Sequence, residues 1–382
     1  MKIALVHNLY EPYAKGGAEK VVKEMAKKLS SLGNEVFIIT TEPKKKSLIK
    51  SATGKDLASI NLDKENNFKK YYLPSSYYNL NNIPKVLRLF WHLNNFYNPK
   101  KEKIIETILK SEKPDLIITH NLIGLGFFLI KIAAKLKITH EHFLHDIQLL
   151  HPSGLMISSK EEKVDSLIAK LYQNLTKKYF LNSEKIISPS SWLLDEHLKR
   201  GFFENKDTEI RPLRKLKIEE LETETQAQAQ VQTQVQAQSR DQASASKNNF
   251  LFVGQIEKHK GIIFLIKTFK LLEDNESSLR IIGDGYDLKE AKKIAGDDKR
   301  FIFLGRLSAD EVKEEMEKSS ALIVPSLCYE NSPTVIYEAN DLNLKVIAAN
   351  IGGIPEIIKK NDLLFKAGDE KDLLEKLKRK SL

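Results

Sequence analysis

Cysteine is nearly missing: the 382-residue chain holds one, Cys328. A single thiol excludes an intramolecular disulfide and suits a reducing compartment. It reads as a small buried apolar residue rather than a nucleophile. Zinc-ligand spacing is missing as well, both among the nine histidines and around the cysteine. The longest apolar run, LIGLGFFLIKIAA at 122–134, is too short for a membrane span and is broken by Lys131. The start, MKIALVHNLY, passes straight from an apolar strand into a polar loop with no leader pattern, so a cytoplasmic location is expected.

What the chain does have is charge and alternation. With 41% hydrophobic and 29% charged residues it has the composition of a soluble globular protein, and its length predicts two domains. The net charge of +10 suits an anionic neighbour, either nucleic acid or the inner-leaflet surface. A lysine-rich, AT-rich genome would give the same balance with no functional meaning. No aromatic-basic recognition motif supports nucleic acid, so none is expected as a partner.

Along the chain, KIALVH reads as a strand and AEKVVKEMAKKLSSLG as a helix. Val21, Val22, Met25, Ala26 and Leu29 share its apolar face, and Gly33 follows as the stop. EVFIITT, DLIITH, THEHFLH and KIISPS continue as strands with helices between them. Such alternation predicts a parallel sheet covered on both faces, with ligands beyond the carboxyl ends of the strands. His7, His120, His145 and Ser188 sit at those ends; His7, His120 and Ser188 read as structural. The pattern stops near residue 216, where a Gln/Ala/Thr/Ser tract lacks apolar surface to bury. It resumes with FLFVG and runs to a charged helix at the end. Three segments result: residues 1–215, a low-complexity linker or insertion at 216–248, and residues 249–382. Two doubly wound domains joined in this way imply a cleft between facing strand ends.

The most informative stretch is VPSLCYENSPTVIYEAN, 324–340. Its first part ends the apolar run ALIVPS, a buried strand. Ser332 then reads as an N-cap with Pro333 at the first helical position. Glu330 falls in the loop and Glu338 in the helix, with amide N–H groups between them facing out of the helix start. A helix start flanked by two carboxylates suits a ligand with an anionic part and hydroxyls, such as a nucleotide sugar.

Around this stretch stand EPYAKGGAEKVV, HDIQLL, FVGQIEKHKG, IIGDG, FLGRL and NIGGIPEII. Together they resemble the retaining GT-B glycosyltransferases often called family 4. The paired glutamates, the alanine after the second, and the later Gly-Gly-x-Pro-Glu carry most of that resemblance. It covers the chain outside the glutamine tract. It implies a GT-B fold of two Rossmann-like domains, the first for an acceptor and the second for a nucleoside diphosphate sugar.

It also implies roles. Glu330 would accept hydrogen bonds from the transferred sugar, and Lys260 would neutralise the leaving diphosphate. His145 would contact the sugar from the opposite wall. Asn331, Ser332, Pro333, Thr334 and Val335 would cradle the diphosphate, and Glu338 would take the ribose hydroxyls. Gly16 and Gly17 would let the backbone approach the ligand, as Gly254 would beside Gln255. Arg306 and Leu307 would lie by the base. No Asp-x-Asp triplet occurs, so no metal and no cofactor are expected. The acceptor would be a glycan or a lipid-linked sugar used in cell-surface polysaccharide.

Two departures stand against the family pattern. Gln255 occupies a place where an arginine is usual, and the second domain ends early, without helices that cross back to the first. They favour a rival reading, a degenerate GT-B protein that binds a nucleotide sugar without turnover. A nucleotide-sugar epimerase is a further rival. Finally, NNIPKVLRLFWHLNNFYNPKKEK at 81–103 mixes aromatics with lysines. It reads either as a helix lying on an anionic inner-membrane face or as aromatics filling the core beneath a loop.

Overall fold

The computed structural model describes residues 1–14, 16–44, 59–62, 68–213 and 248–379. The low-complexity segment expected at 216–248 lies outside these residues except for Asn248. The chain divides into two units, Met1–Lys217 and Ile218–Leu382.

Unit 1 is built on an eight-stranded sheet of order β3-β4-β2-β1-β5-β6-β7-β8. The strands are β1 Lys2–Val6, β2 Glu35–Pro43, β3 Ser59–Leu62, β4 Lys69–Ser75, β5 Leu116–Thr119, β6 Thr139–Phe143, β7 Lys185–Ser188 and β8 Asp207–Ile210. Every pairing is parallel except the outer one, β3 against β4. The helices are α1 Gly17–Ser31, α2 Lys85–Leu93, α3 Pro99–Glu112, α4 Phe128–Lys135, α5 Leu167–Phe180 and α6 Ser191–Leu198. Helix α1 buries Val21, Val22, Met25 and Ala26 against Ile3, Leu5, Val36 and Ile38, and ends at Gly33 with φ 81°.

The stretch 81–103 is not one helix. A 3-10 turn over Ser76–Asn82 precedes α2, and the chain breaks again before α3. Asn98 causes the second break: its side chain accepts from Lys101 N at 3.1 Å, with Pro99 next in the first turn. Trp91 turns inward and donates from Nε1 to Ser76 Oγ at 2.8 Å, whereas Phe90 is 62% exposed.

Unit 2 has a six-stranded sheet of order β11-β10-β9-β12-β13-β14, with every pairing parallel. Its strands are β9 Asn249–Val253, β10 Ser278–Ile282, β11 Phe301–Gly305, β12 Ala321–Val324, β13 Lys345–Ala349 and β14 Leu363–Phe365. Its helices are α7 Ile262–Lys270, α8 Leu288–Ala295, α9 Ala309–Glu317, α10 Thr334–Asp341 and α11 Glu370–Leu377. Strand β12 is buried throughout, as expected of a central strand covered on both faces. Helix α10 starts one residue later than the sequence suggests. Pro333 is its N-cap, and Ser332 makes no cap because its hydroxyl pairs with Tyr337 Oη at 3.0 Å.

Candidate functional site

In a doubly wound sheet, the ligand crevice opens where the strand order reverses. In unit 2 that point lies between β9 and β12. Past β9 the chain runs through Gly254 and Gln255 to a 3-10 turn, Lys258–Lys260, and then Gly261. Gly261 has φ 78°, and a Cβ there would stand 1.7 Å from Pro325 O. Only glycine lets this loop rest on the chain leaving β12. His259 O fixes the contact further, accepting from Leu327 N at 2.9 Å and Cys328 N at 3.1 Å.

That closeness makes an ion pair. Lys260 Nζ lies 2.6 Å from Glu330 Oε1, and Ser326 Oγ donates to the same oxygen at 2.9 Å. The two side chains are 26% and 16% exposed. Burial opposes the lysine charge, but the Glu330 carboxylate outweighs it and holds the ammonium above its ordinary pKa. Burial would likewise raise the Glu330 pKa, yet the Lys260 charge and the bonds from Lys260 and Ser326 hold it below the usual value. Both groups therefore stay ionised near neutral pH. Both bonds end on Oε1, which leaves Oε2 as an acceptor.

A second glycine supports Glu330 from behind. Gly353 N donates to Glu330 O at 2.8 Å. A Cβ on Gly352, where φ is 64°, would stand 2.2 Å from that same oxygen. The Gly-Gly of NIGGIPEII thus positions the Glu330 backbone. Directly after Glu330 come the buried Asn331 and the start of α10, whose first amides have no intrahelical acceptor.

In unit 1 the order reverses between β1 and β5. His7 follows β1, His120 follows β5, and His145 lies just past β6. The three rings cluster: His120 and His145 centroids are 5.0 Å apart, and His7 stands 5.8 Å from His145 and 6.0 Å from His120. His120 Nδ1 and His145 Nε2 share a hydrogen bond of 2.8 Å. His7 Nδ1 accepts from Leu9 N at 3.0 Å, so its proton sits on Nε2, which is buried without a partner among the described residues. Burial drives the His7 pKa down to about 4 and those of His120 and His145 well below the ordinary value. These are neutral imidazoles, able to hydrogen-bond but not to carry charge.

Residues 15–212 match the model of Glycosyltransferase Family 4, and residues 235–380 match that of glycosyl transferases group 1. The chain belongs to the group 1, family 4 glycosyltransferases. An uncharacterized protein of 42.6 kDa from the cps region of Klebsiella pneumoniae is 27% identical over 94% of this chain and 87% of its own length. An uncharacterized glycosyltransferase of Methanocaldococcus jannaschii is 28% identical over 99% of this chain and 87% of its own. Among solved structures, sucrose-phosphate synthase from Thermosynechococcus elongatus aligns with a TM-score of 0.68 at 18% identity, over 99% of this chain and 89% of that one. An Anabaena protein in complex with UDP and glucose aligns at 0.66 and 15% identity, over the same shares of the two chains. These likenesses show the GT-B fold.

In this glycosyltransferase, Lys260, Glu330, Asn331 and the start of α10 come together at one switch point. Ser332 and Pro333 form the approach to α10, Thr334 and Val335 open it, and Glu338 lies half-buried in its second turn. Gly254 and Gln255 border the same edge; Gln255 is exposed. A Cβ on Gly254 would meet only the Phe252 ring, at 3.5 Å, so packing inside unit 2 does not demand glycine there. Arg306 and Leu307 stand two strands away, past β11. Arg306 Nε is 3.7 Å from Asp284 Oδ2 on the surface, and Leu307 packs on the core. Lys258, a candidate to compensate for Gln255, is instead paired with Glu290 at 2.8 Å. Gly16, Gly17 and His145 belong to unit 1. There Gly16 caps α1, and its N–H donates to Glu19 Oε2 at 3.0 Å.

Two residues escaped the sequence reading. Ser326, two places past β12, completes the Glu330 bonds. Asp146, next to His145, accepts from Gln148 N at 2.7 Å and Asn121 Nδ2 at 3.1 Å. Burial raises its pKa to about 6. Burial of the half-buried Tyr77, with smaller contributions from the Asp146 and Glu19 charges, raises the pKa of its hydroxyl. The pair HD in HDIQLL was the available signal for Asp146.

Among the described residues, no group of three or more His, Cys, Asp or Glu could hold a metal ion, and no helix is long and apolar enough to cross a membrane.

Proposed function

We propose that the chain is a retaining glycosyltransferase that moves a hexosyl group from a nucleoside diphosphate sugar to a glycan or lipid-linked acceptor in cell-surface polysaccharide synthesis. The Lys260–Glu330 pair at the unit 2 switch point carries this reading. Charge grows on the diphosphate as the glycosidic bond breaks, and a preorganised ammonium beside the start of α10 meets it without reorganisation. Glu330 Oε2 accepts from a sugar hydroxyl, and Glu338 from the ribose. The open space at Gly254 admits the diphosphate past Gln255. Lys260 does here what a divalent ion does in other sites, so chelators should leave turnover unchanged. In unit 1, His145 binds the sugar as a neutral donor or acceptor. The relative from the Klebsiella pneumoniae cps region supports the polysaccharide role, and the neighbour bound to UDP and glucose supports a uridine donor.

One observation favours a second reading, binding without turnover: Gln255 is uncharged, and Lys258 is committed to Glu290. Thermal shifts with UDP-, GDP- and ADP-sugars identify the donor, since binding stabilises by mass action. Incubation of the labelled donor with glycan acceptors, with the anomeric configuration of the product read by NMR, then decides. An inverted product refutes retention. Binding with no transfer or hydrolysis leaves the second reading standing.

A further inference from the structure

Helix α5 of unit 1 carries apolar side chains on two faces, only one of which its own core covers. Its inward face buries Ala169, Tyr172, Tyr179 and Phe180 together with Gln173 and Thr176. Gln173 Nε2 donates to Val164 O at 2.7 Å and Leu150 O at 3.1 Å, and Thr176 Oγ1 donates to Leu149 O at 2.8 Å. Outward it shows Leu167, Ile168, Leu171 and Leu175, exposed by 77, 66, 62 and 41%. Their spacing puts all four on one stripe, which a surface helix ordinarily buries.

A second bare face adjoins it. Leu87, Phe90 and Leu93 of α2 recur every third residue, and each is at least half exposed; Tyr97, just beyond, is 71% exposed. Phe96 links the two helices. Its ring lies 5.7 Å from that of Tyr172 and 5.9 Å from that of Tyr179, and its carbonyl accepts from Tyr179 Oη at 2.6 Å. Tyr172 and Tyr179 flank the Ile168/Leu175 edge of the α5 stripe, so the chain leaving α2 packs against that edge. In unit 2, by contrast, the only exposed large apolar side chains among the described residues are Leu271 and Tyr286.

The border of this surface is cationic. Lys163, Lys170 and Lys178 are exposed and form no ion pair among the described residues, and Lys131 Nζ sits 4.4 Å over the Tyr179 ring. Lys100 and Lys103 add charge at the start of α3. Of the nearby carboxylates, Asp165 is bound by Arg200, Glu161 accepts from Ser159 N, and Glu162 is exposed just before the helix. Glu102, half-buried in the first turn of α3, acts on the Tyr179 hydroxyl, so the cationic excess is partial on that side. Leucines and aromatics with a lysine border match the acyl boundary and the headgroups of an anionic bilayer.

We propose that the α2–α5 face docks unit 1 flat on an anionic lipid bilayer. The docked helices lie in the headgroup plane with the leucines and Phe90 below it and the lysines among the phosphates. This deepens the lipid-linked acceptor reading above by naming the surface that would bring the enzyme to such an acceptor.

The test is co-sedimentation of the full chain with vesicles of phosphatidylcholine alone or mixed with phosphatidylglycerol, at low and high salt. The expected result is pelleting with the anionic vesicles at low salt, partial release at high salt, and little binding to phosphatidylcholine. Ile168→Ser with Leu171→Ser, and separately Phe90→Ser, should each weaken binding several-fold. Melting should stay unchanged, because the replaced side chains are exposed. No pelleting with anionic vesicles, or equal pelleting of all variants, overturns the proposal. So does a dimer by light scattering that the α5 substitutions split, since a second copy would then own the face. The donor-induced thermal shift is read on the same variants; its absence counts against the proposed function and not against docking.

Discussion

Unit 2 places a charged pair at its switch point, whereas unit 1 fills the matching place in its sheet with three imidazoles that have lost their charge. The difference lies first in depth, since His7 and His120 are 1% and 0% exposed against 26% and 16% for the Lys260 and Glu330 side chains, and then in what surrounds each group. Lys260 and Glu330 each oppose burial with the other's charge, so both remain ionised. His120 has as neighbours His145, His7 and His142, which add repulsion to its desolvation. Unit 2 therefore keeps a paired, fixed charge at its switch point, whereas unit 1 keeps neutral imidazoles, of which His7 and His120 are buried and only His145 is half-buried. On the function proposed above, the charge serves the donor in unit 2, and His145 is the imidazole placed to meet a ligand in unit 1.

Breaking the charged pair should have the largest effect. Lys260→Ala and Glu330→Ala should each lower kcat/KM for transfer by about 10²–10³-fold, the usual loss when one preorganised electrostatic contact is removed. Each single change also strands its partner's charge, so the double replacement should destabilise the fold by less than the sum of the two. Initial rates and denaturant midpoints for the three variants check this. Near-wild-type rates in either single variant would remove the pair from the chemistry.

Acid should separate the units next. The pKa of His7 falls from 6.5 unfolded to about 4 folded. Between those values the unfolded chain binds more protons, so stability present above pH 6.5 is lost as pH falls toward 4. For His7 alone the loss is roughly 3 kcal/mol. Asp146, raised to about 6, works in the opposite direction, so the comparison with His7→Gln isolates the histidine. Both tryptophans, Trp91 and Trp192, belong to unit 1, and their emission follows that unit. The gap between the wild-type and His7→Gln midpoints should change as pH drops from 7 to 4.5. A constant gap would mean that His7 titrates normally in the folded state.

A smaller effect is expected behind Glu330. Gly352→Ala forces a side chain into left-handed backbone and against Glu330 O, at an expected cost of about 1–3 kcal/mol. Because the strain falls on the Glu330 loop, transfer should drop more than melting does. Loss of stability with unchanged kcat would show that the loop relaxes away from the site.

Legibility followed how local each feature is. The β12 loop and α10 could be read because an apolar run, a proline and a Gly-Gly follow one another between residues 321 and 353. The helix start was displaced by one residue because the Ser332 hydroxyl is taken by Tyr337, a partner that no capping rule anticipates. His7, His120 and His145 could be placed at the carboxyl ends of their strands, but not in contact, since only the strand order makes β1, β5 and β6 consecutive neighbours. Phe90 and Trp91 are neighbours of similar character, yet it is Trp91 that turns inward, to the Ser76 hydroxyl and the Tyr77 ring. Helix α5 is the limiting case. Its pattern offers two apolar faces, and the one that turns inward holds Ala169, Tyr172, Tyr179 and Phe180 together with the Gln173 and Thr176 bonds to backbone carbonyls.

Gln255 offers the finest test of the comparison. It is exposed at the carboxyl end of β9, on the edge shared with Lys260, and Lys258 beside it is bound to Glu290. Gln255→Arg would add a cation on the edge that already holds Lys260. If charge at this switch point drives departure of the diphosphate, the variant should raise kcat/KM by about 2–10-fold, since an exposed cation is screened and contributes less than a buried one. The gain should shrink as salt rises, whereas the contribution of the better shielded Lys260 should hold. The same substitution should leave the pH response of tryptophan emission unchanged, because that response belongs to unit 1. A folded variant with no gain at low salt would mean that the Lys260 ammonium and the α10 amides already supply all the charge that the leaving group can use.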